Sequence, residues 1–141
     1  MQERGLNERD YSVVAAAPHD VPSYLSASDA GVAFIKNCFS KLASSPTKYA
    51  EYLGCGLPLI INAGIGDSDM LVNQESAGVL VQDLTEAEYA RAALVIEQLV
   101  ANHAQSRDRS RELAERLFDV RQVGVPRYAR LYQRVLGDQE I

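Results

Sequence analysis

The chain has 141 residues, the length of a single domain, which excludes a two-domain enzyme with its site in a cleft between full-sized halves. Hydrophobic residues make up 47% and charged residues 23%, a balance that supports a packed core and argues against disorder. Lys and Arg number 14 against 19 Asp and Glu, a net charge of -5, which is the wrong sign for a protein that lives on phosphate backbones, so nucleic acid is not an expected partner.

Taken in chain order, Ser12–Ala17 (SVVAAA) is a short apolar run closed by Pro18, and Gly31–Ile35 (GVAFI) is a second; both are predicted as buried strands. Between them Asp20 is the predicted N-cap, and Pro22 lies in the first turn of a short helix ending near Asp29, with Tyr24 and Leu25 as its apolar face. Ser45 as N-cap and Pro46 as first helical residue open the next helix, which Gly54 and Gly56 close and Pro58 keeps from continuing. Leu57–Asn62 (LPLIIN) and Gly78–Val81 (GVLV) are the third and fourth predicted strands. Alternation of strands with helices predicts right-handed βαβ units around a parallel sheet, an α/β fold.

Beyond Val81 the pattern is helical. Thr85 and Glu88 form a capping box, and Tyr89, Ala92, Ala93, Ile96, Leu99 and Val100 recur at helical spacing. Ser106–Phe118 is charged with a narrow Leu113/Leu117 stripe, and Tyr128, Leu131, Tyr132 and Val135 mark a last amphipathic helix. Cys38 and Cys55 show no CxxC spacing, and the two histidines, His19 and His103, are far apart, so no metal site is expected and reduced thiols in the cytoplasm fit. The longest apolar stretch, Leu57–Ile61, is far short of the roughly 20 residues of a membrane span, and the first residues lack an apolar signal core.

The stretch Ser44–Pro58 (SSPTKYAEYLGCGLP) carries the chemistry. Lys48 falls third in its helix, where a capping box would place Glu or Gln and where the helix dipole disfavours a cation by about 0.3 to 1 kcal/mol. Two readings stand. In one, an anion such as phosphate docks on the free amides of Thr47 and Lys48 with the ammonium adding charge; in the other, Lys48 pairs with Glu51 or points into solvent. Glu51 lies on the same helical face one turn deeper, where its two oxygens could accept from adjacent ribose hydroxyls, or else from Lys48. Gly64 and Gly66 follow a strand end, where ligands bind in open α/β sheets; they either bring backbone to a diphosphate or form a tight turn with Asp67 capping the next helix.

The segment SPTKYAEYLGCGLPLI resembles the donor-binding motif of GT-B-fold glycosyltransferases of family 4, in the sub-groups written S-P-T-K-x-x-E-Y-L-x-x-G-x-P. DVPSYLSASDAGVAFI, INAGIGDSDMLV, GVLV and VGVPRYARLYQRVL are similar to the flanking segments of that family, so the resemblance spans nearly the whole chain, 1–141 as one partial domain. It implies a sugar transferred from a nucleoside diphosphate to an acceptor in polysaccharide or glycoconjugate biosynthesis, a hexosyltransferase-like enzyme whose substrate is a nucleotide sugar, with no metal and no cofactor. Glu51 matches the second glutamate of the family's E-x7-E motif, which holds the ribose; Thr47 and Lys48 sit at the helix start facing the diphosphate; Gly64 and Gly66 match its glycine loop. Pro18 and His19 fall where the family frames the base. The first glutamate of E-x7-E falls at Ala43, so the resemblance supplies no catalytic residue in this chain.

In the family's sheet, of order 3-2-1-4-5-6, the four predicted strands correspond to the third through sixth. The resemblance thus implies a partial GT-B C-terminal domain lacking two strands, the diphosphate-clamping Arg and Lys, and the acceptor-binding domain. Three explanations stay open: a fragment of a longer enzyme, a first strand repacked beside the second, or a homodimer or other chain covering an exposed sheet edge at Ser12 or Gly31. The alternative function is a non-catalytic, truncated relative that serves as a partner or subunit module. A cytoplasmic location follows from either, with peripheral attachment to the inner membrane through the parent enzyme as the variant.

Overall fold

Three short parallel strands, in the order β1-β2-β3, form the only sheet among the residues described by the computed structural model, 5–137. They are β1 (Gly31–Ala33), β2 (Leu59–Asn62) and β3 (Gly78–Val81), with Gly31, Leu59 and Gly78 side by side in register. Helices α1 (Val21–Ser26), α2 (Thr47–Gly54), α3 (Ser68–Asn73), α4 (Glu86–Ala101), α5 (His103–Phe118) and α6 (Val125–Leu136) complete a Rossmann-like α/β domain.

The pleat sorts the strand residues onto two faces. Ala33, Leu59, Ile61 and Leu80 pack against Tyr49 and Leu53 of α2, Leu71 and Val72 of α3, and Leu113 and Ala114 of α5. Leu53, Leu57, Leu59, Ile61 and Ile65 are fully buried, each worth about 1.5 to 3 kcal/mol of apolar transfer. On the other face Ile60, Val79 and Val81 meet Ala92 and Val95 of α4. The Tyr52 ring of α2 packs directly on Gly31, where an added Cβ would overlap it.

The predicted first strand, Ser12–Ala17, does not form. It is exposed coil, with Val13 86% accessible. A strand exists through its ladder partner, and this run does not pair with β1, which excludes the repacked-sheet explanation. Nor is β1 buried on both faces, because Val32 is open to solvent, as is Phe34 just beyond the strand. The strand ends at Ala33, two residues short of the apolar run. Beyond it the Asn62 side chain takes over the ladder's role, its Oδ1 accepting from the Ile35 amide at 2.7 Å and its Nδ2 donating to the Ile35 carbonyl at 3.0 Å.

Helix starts are also corrected. Pro46, at φ -68 and ψ 116, is extended and holds the cap position, so α2 begins at Thr47 and Lys48 is its second residue. In α1 the inward residues are Val21 and Leu25, four apart, and Tyr24 is exposed; Asp20 occupies the cap without a side-chain bond, and the helix ends at Ser26. Only half of the predicted capping box of α4 forms: Thr85 accepts from the Glu88 amide at 3.3 Å, while the Glu88 carboxylate accepts from Gln82 at 3.0 Å and from Arg91. The inward stripe of α4 is Ala92, Val95, Ile96, Leu99 and Val100, with Tyr89 and Ala93 outside.

Candidate functional site

Helix α2 presents an open amino end. Pro46 has no side chain that can cap it, the first turn bond runs from Tyr49 N–H to Pro46 O at 3.1 Å, and the Thr47 and Lys48 amides have no protein acceptor among the described residues. Both side chains are exposed. Lys48 and Glu51 form no ion pair among the described residues, so the surface-couple reading of Lys48 is not realised and both charges stand free on one face. Two unused donors at the positive end of a helix dipole, with an ammonium beside them, form a place where an anion is favoured.

One turn deeper, Glu51 opens into a cleft of about 420 Å³ between α2, α1 and the coil that precedes α1. Ala16, Pro18, Val21, Pro22 and Leu25 make an apolar wall, and Glu51 is the one charged residue of the lining. Flat apolar walls suit an aromatic ring, and a lone carboxylate suits paired hydroxyl donors. Pro18 and Glu51, 33 positions apart in sequence, are thus brought to one cavity. His19 is not part of it; the imidazole is solvent-exposed, 3.5 Å from Asp20.

The wall is held by a residue that the helical spacing did not single out. Arg107 of α5 donates to the carbonyls of Ser26 at 3.1 Å, Ser28 at 3.2 Å and Cys55 at 2.9 Å. These carbonyls lie at the carboxyl ends of α1 and α2, where a cation is favoured. One guanidinium thereby ties both sides of the cleft together. The signal was present only as one arginine among several in a charged helix.

The glycine loop is a tight turn. Gly64, at φ +81, donates its amide to the Asp69 carboxylate at 3.1 Å, and Gly66, at φ +52, donates to Lys41 O at 2.9 Å. A Cβ on Gly66 would lie 1.9 Å from Ser44 O, so the glycine permits close approach of two loops. Asp67 occupies the cap of α3 without a side-chain bond; Asp69 instead reaches back to the turn. Neither glycine amide is free to meet a diphosphate. Ala43 ends the 3-10 turn Phe39–Ala43 on the surface nearby.

A smaller cleft of about 200 Å³ lies near the start of α2, among Ser45, Tyr49, Asp67, Ser68, Phe118 and Arg127. The Tyr49 and Ser68 hydroxyls are buried side by side with no bond of good geometry, and burial pushes the Tyr49 phenol up. Asp67 and Arg127 oppose each other in its lining, so this cleft carries no net charge that would draw an anion. No cluster of metal-ligating side chains occurs among the described residues, and no helix there is long and apolar enough to cross a membrane.

The fold and this site define a Rossmann-like α/β domain with an unplugged helix end beside an apolar, single-carboxylate cleft. No protein-family model, curated protein or solved structure matches the chain.

Proposed function

We propose that the chain is the nucleotide-sugar-binding part of a glycosyltransferase, in which the base rests on the Pro18 wall, the ribose hydroxyls donate to Glu51, and the diphosphate meets the amino end of α2 and Lys48. The observation that carries this reading is the open α2 end with Glu51 one turn deeper, lining the same cleft as Pro18. The resemblance of SPTKYAEYLGCGLPLI to the donor motif supports it independently. Gly64 and Gly66 serve by shaping the loop, their amides being engaged within the protein, and His19 does not line the cleft.

Binding and orientation are this chain's contribution. Negative charge that develops on a departing diphosphate is stabilised by the helix end and the Lys48 ammonium, while a base comes from an acceptor domain. Calorimetric titration with UDP, GDP and their sugars tests the reading. Binding is expected with at least one of them, Glu51→Ala is expected to abolish it, and Lys48→Ala to weaken it several-fold. Binding indifferent to both substitutions overturns the site. The rival reading, a non-catalytic partner module, draws on Ala43 in place of a glutamate and predicts no nucleotide binding at all.

A further inference from the structure

One sheet face is fully roofed and the other is not. On the second face α4 covers β3 and reaches Ile60 of β2, but over β1 the face is bare. Val32 is 54% and Phe34 46% exposed, and the exposed Tyr89 of α4 flanks them, its ring centroid 6.1 Å from that of Phe34. Helical spacing puts Glu86, Tyr89, Ala93 and Glu97 in one row along α4, so solvent-exposed carboxylates stand at both ends of this apolar shelf.

Helix α6 is shaped for such a shelf. None of its residues is buried; Tyr128, Leu131, Tyr132 and Val135 make one stripe, which Val125 and Leu136 widen. Arg127, Arg130 and Arg134 form the adjoining row. Between Val120 and Gly137 there are four arginines and no carboxylate, with Asp138 and Glu140 next in sequence, while residues 1–119 carry ten Lys and Arg against seventeen Asp and Glu. Charge is thus divided between one basic helix and an acidic body.

We propose that α6 docks on the bare β1–α4 face of a second copy of this chain, in a two-fold dimer in which each copy gives its helix to the other. The apolar stripe covers Val32, Phe34 and Tyr89, and the arginine row meets Glu86 and Glu97. The charge division selects this occupant: an anionic lipid surface that attracted α6 would repel the acidic body behind it, whereas a second copy offers apolar and acidic groups on one surface. Isologous pairing makes the contact twice, which removes both exposed patches at once. Neither surface includes Thr47, Lys48 or Glu51, so the dimer stands or falls apart from the nucleotide-sugar reading.

Sedimentation equilibrium and light scattering on the full chain test it. A dimer that loosens as salt is raised is expected, and Leu131→Asp and Phe34→Asp should each give a monomer with an unchanged circular dichroism spectrum. Should either disturb folding, surface charge reversals decide: Arg130→Glu with Arg134→Glu, or Glu86→Arg with Glu97→Arg, should weaken the dimer about tenfold or more, and all four together should restore it. A chain monomeric at hundreds of micromolar, a dimer indifferent to the charge reversals, reversals that do not rescue one another, or a monomer that binds anionic vesicles through α6 would overturn the proposal.

Discussion

Glu88 shows how one side chain serves several partners. It accepts from Arg91 through both oxygens, at 3.0 and 2.9 Å, and from the Gln82 amide, and these bonds, with Arg91 the larger cause, hold its pKa down at about 2. Arg91 in turn donates to the Leu80 carbonyl, so the pair fastens the start of α4 to the end of β3. A carboxylate whose folded pKa is depressed adds stability that is fully present above its ordinary value of 4.5 and is lost as the pH falls through about 2. Denaturant unfolding of the wild type and Glu88→Gln is therefore expected to show a stability gap at neutral pH that narrows below about pH 4.5 and closes near pH 2. A gap that stays constant with pH would show that Glu88 acts through something other than its charge.

At the scale of elements, the candidate cleft depends on the junction of three helices rather than on any one. α1 has six residues and buries none fully, so it cannot hold its place by packing alone. Arg107 supplies the hold by bonding the ends of both α1 and α2. Arg107→Ala is expected to cost about 2 kcal/mol in chemical denaturation, because three carbonyls lose a charged donor. It is also expected to weaken nucleotide binding without touching the ligand, by releasing the Val21–Leu25 wall. Arg107→Lys should rescue neither effect, since an ammonium cannot reproduce the planar fork that reaches three acceptors. Full stability with unaltered binding in either variant would sink the positioning role.

For the molecule as a whole, the sheet has one roofed face and one half-roofed face, with β1 and β3 as its two edge strands among the described residues. The α/β class, the strands Leu59–Asn62 and Gly78–Val81, and the helices α4 and α5 were legible because local pattern and tertiary environment agree there: apolar runs are buried and amphipathic spacing faces a core, whereas the stripe of α6 was legible but meets no core among the described residues. Ser12–Ala17 carries the same apolar signal but lacks a strand to pair with, and apolarity alone does not make a ladder. As the proposed donor-binding part of a transferase, the chain is expected to show little or no sugar transfer when assayed alone with UDP- or GDP-sugars, since it supplies orientation and diphosphate stabilisation without a base. Robust turnover would overturn that division of labour.

Of the candidate site, Thr47, Lys48 and Glu51 could be read from residue order, because helix start signals and i, i+3 spacing are local and set by backbone geometry. That the α2 end is open, that Pro18 shares a cleft with Glu51 while His19 turns to solvent, and that the glycine amides are already engaged was decided by tertiary structure. So was the role of Arg107, whose three acceptors lie about 50 to 80 positions away in sequence. Periodicity records which face of an element is apolar, but the partner that meets that face is chosen by long-range packing, to which a local pattern has no access.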